Sequence, residues 1–148
     1  MTDTLNRAAL SGIDQLRALI ARDDQPPIGR TMDFALVEVE EGRAVFEGNP
    51  DARVYNPIGS VHGGYAATLL DSACGVAVHS RLAAGQSFTT LELKVSYLRG
   101  MTTETGVVRA EGVVISMGRR VAFAEAKLTD ASGRLLATAT STLLVITS

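Results

Sequence analysis

From Val54 to Ser80 the chain carries one acidic or basic side chain apart from its histidines, Asp71. It falls in a run from Gly63 to about Leu82 that is apolar nearly all round, the pattern of a wholly buried helix. Burying an unpaired carboxylate without hydrogen bonds costs on the order of several kcal/mol. A lone charge kept there points to proton transfer or nucleophilic attack. Just before the run stand Asn56-Pro57-Ile58-Gly59 and Val61-His62-Gly63-Gly64. His62-Gly63-Gly64 lies where loop becomes helix, and a helix N-terminus presents free backbone N–H groups and a partial positive charge. Glycines at that point let a ligand carbonyl approach the backbone, as an oxyanion-type site requires.

Asp71 follows Gly63 by eight residues, roughly 12 Å along one helix at about 1.5 Å per residue. One carbonyl carbon cannot touch both the Gly63 N–H and the Asp71 carboxylate at that separation. If both act on one substrate, they come from two chains whose helices run antiparallel about a two-fold axis. The spacing therefore predicts a dimer with shared active sites.

The elements that must position these residues read as follows. Residues 1–30 form an N-terminal helix and linker: apolar Leu5, Ala9, Ile13, Leu16, Leu19 and Ile20 predict a helix from Leu5 to Arg22, ended by Pro26-Pro27 and Gly29. Residues 31–148 form one domain. Phe34 to Val39 and Arg43 to Gly48 flank Glu40-Glu41-Gly42 as a hairpin, and an Asn/Pro/Gly-rich loop leads from Asn49 to the apolar helix. Leu91, Leu93, Val95 and Tyr97 alternate with Glu92, Lys94 and Ser96 as a half-buried strand. Val107 to Ile115, Val121 to Thr129 and Leu135 to Ile146 supply further strands, with turns at Gly118 and at Asp130 to Gly133. The fold class is α+β: one antiparallel sheet of five or six strands wrapped on a central helix. Its solvent face shows no decisive apolar patch, which leaves dimer and tetramer both open.

Bulk properties narrow the function classes. A length of 148 residues fits one sizeable core. A net charge of −2 gives no electrostatic case for nucleic acid or an anionic membrane. The lone Cys74, among small apolar neighbours, excludes an internal disulfide and reads as packing. Two histidines without a carboxylate cluster make poor metal-ligand spacing. No uncharged run is long and apolar enough to span a bilayer, and Met1 to Arg7 lacks a signal-like region, so a cytoplasmic location is expected.

Asn56-Pro57-Ile58-Gly59, Val61-His62-Gly63-Gly64 and Thr68-Leu69-Leu70-Asp71 together resemble the hotdog-fold acyl-CoA thioesterases of the phenylacetate-pathway (PaaI-like) type. Thr89 to Arg99 and Gly118 to Phe123 also look like the family, and the resemblance runs from about Ile28 to Val145. It implies a hotdog fold with an extra N-terminal helix, in dimers that pair again into tetramers. By the same resemblance the Gly63 N–H polarises the thioester carbonyl, and the partner chain's Asp71 acts as general base or nucleophile. Asn56 positions the water or carbonyl, His62 shapes the loop beside the thioester, and Thr90 holds water near the carboxylate. Strict alternation sets Thr90 on the face of Glu92 and Lys94, so reaching the site requires a bulge. Tyr97, Arg99 and the turn Ser116-Met117-Gly118-Arg119-Arg120 are candidates for contacting coenzyme A, which enters as part of the substrate; no separate cofactor is implied. An acyl group of aryl or medium-chain type is compatible with this resemblance. Two rival readings stay open: a hotdog enoyl-thioester hydratase or dehydratase with His62 essential, and a silent acyl-CoA-binding protein. The Gly63-to-Asp71 spacing speaks against the first, and the retained carboxylate against the second.

Overall fold

The computed structural model describes residues 9–147. Its first regular element is α1 (Gly12–Ala21), which buries Ile13, Leu16 and Leu19 on one face. The predicted range began earlier. Leu5 to Ala8 lie outside the described residues, and Ala9 to Ser11 are not helical. Ser11 caps the helix by accepting from the Asp14 N–H, and the Gly12 N–H is spent on the Leu82 carbonyl at 2.9 Å. The helix therefore starts where the chain docks.

A second correction concerns Pro26-Pro27. Here it begins a helix, α2 (Pro27–Met32), instead of only ending one. Proline at the first helical position loses nothing, because its missing N–H would have had no intrahelical partner. Asp33, in the left-handed conformation at φ 60°, ends the helix and turns the chain into the sheet.

Six strands follow: β1 (Phe34–Glu40), β2 (Arg43–Gly48), β3 (Gln86–Tyr97), β4 (Val108–Met117), β5 (Val121–Asp130) and β6 (Leu135–Thr147). All pair antiparallel in the order β1-β2-β4-β5-β6-β3. Between β2 and β3 in sequence runs α3 (Gly63–His79), which lies across the inner face of the sheet and touches every strand. It stops three residues short of Leu82, and β3 starts at Gln86 where only Leu91 onward shows alternation.

Small residues let helix and sheet meet closely. Ala122, Ala124 and Ala126 of β5 face inward while Val121, Phe123, Glu125 and Lys127 face outward, so the strand alternates as a half-buried strand should. On β4 the approach is closer still: a Cβ on Gly112 would fall 2.3 Å from the Ala73 carbonyl oxygen. Only glycine fits there.

The outer face carries a few partly exposed apolar side chains. Val121, Phe123 and Ile146 are exposed on it, and Ile115, bulged out of β4, adds a side chain 57% exposed. No helix among the described residues is long and apolar enough to cross a membrane.

Candidate active site

The loop before α3 is built by Asn56. Its side-chain oxygen accepts from the N–H groups of Ile58 and Ser60 at 3.0 and 3.2 Å, and its amide donates to the Ser60 hydroxyl at 3.1 Å. That is an Asx turn, the local hydrogen bonding that makes Asn a turn former. The loop is then strapped in place by Val61 N–H to the Met101 carbonyl and His62 N–H to the Val54 carbonyl.

His62 is the N-cap of α3. Its Nδ1 accepts from the Gly64 N–H at 2.8 Å, and its carbonyl accepts from Tyr65 N–H. Accepting at Nδ1 puts the neutral ring's proton on Nε2. Two first-turn donors are thereby spent, whereas the Gly63 N–H meets no acceptor among the described residues. An unspent N–H at a helix N-terminus is a donor aimed at whatever oxygen binds there. The Tyr97 hydroxyl, donating to the Gly63 carbonyl at 2.6 Å, fixes the peptide on the other side of Gly63.

Asp71 sits two turns further on, half-buried. The Thr90 hydroxyl donates to its Oδ1 at 2.9 Å, and no cationic side chain pairs with it among the described residues. The required bulge exists. Thr90 pairs with Leu143, Glu92 with Thr142 and Leu93 with Ser141, so Leu91 is the extra residue. The slip puts Thr90 and Leu93 on the same inner face and leaves Leu91 56% exposed. One residue added to the register turns Thr90 toward the helix.

Beside Asp71 opens a cavity of about 220 Å³. Phe34, Phe46, Val76 and Phe88 give it an apolar lining, and Asp71 with Thr90 forms its polar end. This is smaller than the roughly 300–1,000 Å³ of a pocket that holds a whole drug-sized ligand. α2 supplies the remaining wall through Ile28 and Gly29. In the sequence Pro26-Pro27 and Gly29 signal a helix stop, but proline equally marks a first helical position, so this wall has no local signal of its own.

The other candidates fall into two groups. Tyr97 and Arg99 lie at the Gly63 end of α3, and Arg99 borders a polar recess of about 370 Å³ with Arg134 and Glu104. Ser116 and Met117 end β4, and Gly118 to Arg120 form the β4–β5 turn. Met117 points inward against the core, whereas Ser116, Arg119 and Arg120 are exposed and Gly118 N–H closes the turn on the Val121 carbonyl. Met117 pairs with Ala122, Ala122 with Leu143 and Leu143 with Thr90, so this turn ends the sheet row that carries Thr90. Within one chain the first group lies at the Gly63 end of α3 and the second on the row of Thr90, which meets the helix at Asp71.

Cys74 is no competitor as a nucleophile. Burial, with the Asp71 charge adding to it, pushes its thiol up to about 12.

A family model described as thioesterase superfamily matches residues 58–137, more than half of the chain. A 1,4-dihydroxy-2-naphthoyl-CoA hydrolase of Listeria monocytogenes is 27% identical over 115 residues, which cover 78% of this chain and 92% of that protein. A thioesterase family protein from Silicibacter pomeroyi superposes with a TM-score of 0.78 at 28% identity, over 90% of this chain and 96% of the other. The E. coli PaaI protein from the phenylacetic acid degradation operon gives a TM-score of 0.78 at 19% identity, over 93% and 96% of the two chains, a likeness of fold.

Proposed function

The chain belongs to the thioesterase superfamily and is a thioester hydrolase with the hotdog fold, and from that premise we propose that it cleaves acyl-CoA to free acid and CoA at a site shared by two chains. One observation carries the reading: a half-buried carboxylate with no cation beside it among the described residues, held by one hydroxyl, at the polar end of an apolar recess. A binding protein has no use for that charge, since desolvating it opposes folding.

In this reading the acyl group enters the Asp71 recess and the thioester oxygen takes the Gly63 N–H. Asp71 either removes a proton from the attacking water or attacks the carbonyl carbon itself. The oxyanion forms against the N–H and the helix dipole. A thiolate is a far better leaving group than the alkoxide or amide anion of an ester or amide, so CoA departs as thiolate without a dedicated acid. His62 serves as cap and loop former, which gives the hydratase alternative no free base.

Gly63 and Asp71 must come from different chains for the reason of length already given. The twelve-residue β3 supports a seam there, for it is an edge strand with Leu91 and Tyr97 exposed, a surface that pairs readily with a second copy. With two α3 helices antiparallel, Tyr97 and Arg99 of one chain meet the Ser116–Arg120 segment of the other, and their arginines suit the phosphates of CoA.

The direct test is release of free thiol from a panel of short, medium-chain and aryl acyl-CoA esters. Turnover of none of them, with binding intact, would favour the silent-binder reading. A second expectation concerns Thr90: Thr90→Val keeps the shape and removes the bond to Asp71. A hydrogen bond to a charged group is worth about 1.5–3 kcal/mol, so kcat is expected to fall roughly tenfold to a hundredfold with KM little changed. Unaltered kcat would remove Thr90 from the machinery.

A further inference from the structure

α2 divides two recesses. On one side lies the cavity of about 220 Å³ beside Asp71; on the other, a groove of about 410 Å³ runs along β1 over Ala35, Val37 and Val107. Gln25, Gly29 and Phe34 line both. The wall between them is therefore one layer thick.

Gln25 seats that wall. Its side-chain oxygen accepts from the Leu36 N–H at 3.0 Å, and its amide donates to the Leu36 carbonyl at 3.4 Å. Leu36 lies on the free edge of β1, just before a register shift, so the glutamine side chain stands in for a missing strand. Arg30 Nη1 donates to the Gln25 carbonyl at 2.6 Å and ties α2 to the same point. Gly29 completes the fit: a Cβ there would stand 2.7 Å from the Phe34 carbonyl oxygen. An acyl chain that passes Asp71 runs toward Phe34 and Gly29 and stops.

We propose that Gln25, by holding α2 against β1, sets the upper length limit of the acyl group, and that the groove beyond is the space a longer chain would occupy. This rests on the reading that the Asp71 recess takes the acyl group. Gln25 is a positioning residue here, so the readout is the chain-length profile and not activity alone.

The experiment measures kcat/KM over saturated acyl-CoA esters of increasing length for wild type, Gln25→Ala and Gly29→Ala. The first variant removes both bonds to Leu36; the second pushes α2 off β1 by a different contact and stands in if the first does not fold. In both, the length optimum is expected to move upward. The ratio of long-chain to short-chain kcat/KM should gain about fourfold for each further methylene buried. A length limit equal to that of wild type, or an equal loss at every length, overturns the assignment of α2 as the limiting wall. Failure of the wild type to hydrolyse any of these esters overturns the reading that the Asp71 recess takes a saturated acyl group from CoA, and the two failures are told apart in the same assay.

Discussion

Asp71→Asn is expected to lower kcat for thiol release from acyl-CoA by about 10²–10⁴-fold, the contribution of a well-placed general base. The substitution is nearly isosteric, and the amide keeps an oxygen for the Thr90 hydroxyl that now donates to Oδ1 at 2.9 Å. No cation loses a partner, because none pairs with Asp71 among the described residues. The variant should therefore keep its fold and its oligomeric state. Its thermal stability should equal or exceed that of wild type, since a half-buried charge without a counter-ion gives way to a neutral group. Falling activity with unchanged or rising Tm is the signature of a charge held for chemistry. A structural carboxylate would lose both together, and wild-type turnover would remove Asp71 from the mechanism. Hydroxylamine separates its two roles when the product followed is a hydroxamate on Asp71 itself, because only the nucleophile route leaves an acyl–Asp71 anhydride whose Asp71 carbonyl can be captured.

The central helix and the half-buried strands were legible because periodicity is a property of sequence. Asp71 stood out against the apolar run of α3, and Ala122 to Leu128 alternate as plainly in the letters as in the fold. Register is different. Leu91, Leu93, Val95 and Tyr97 alternate without a break, yet Leu91 is the bulged residue and does not share the face of Leu93. Alternation says which residues could share a face; pairing to β6 decides which do. α2 was hidden for another reason, since Pro26-Pro27 and Gly29 spell a helix stop and a helix start with the same residues. The apolar lining of the Asp71 recess comes from β1, β2, β3 and α3 at once, and no local signal joins Phe34, Phe46 and Phe88.

Gly63→Pro is the second large loss expected, about 10²–10³-fold in kcat, the cost of one oxyanion-hole donor. Proline suits this test because Gly63 is the first residue of α3, where proline fits the helix, and it deletes the N–H in question. The preceding His62, at φ −60° and ψ 136°, already has the extended backbone that a residue before proline prefers. The new Cβ would lie 3.2 Å from the Tyr97 ring and hydroxyl, so that exposed side chain must yield by a few tenths of an ångström. Gly63→Ala brings the same Cβ and keeps the N–H, and it separates crowding from loss of the donor. A proline variant no slower than the alanine variant would dismiss the oxyanion role. Mixing then tests where the two halves of the site reside. If Gly63 and Asp71 act from different chains, Gly63→Pro and Asp71→Asn subunits refolded together in equal amounts give some dimers with one intact site. Random pairing restores about one quarter of wild-type activity from two inactive parents. Sites contained within one chain would restore none, because every subunit in the mixture carries a broken half.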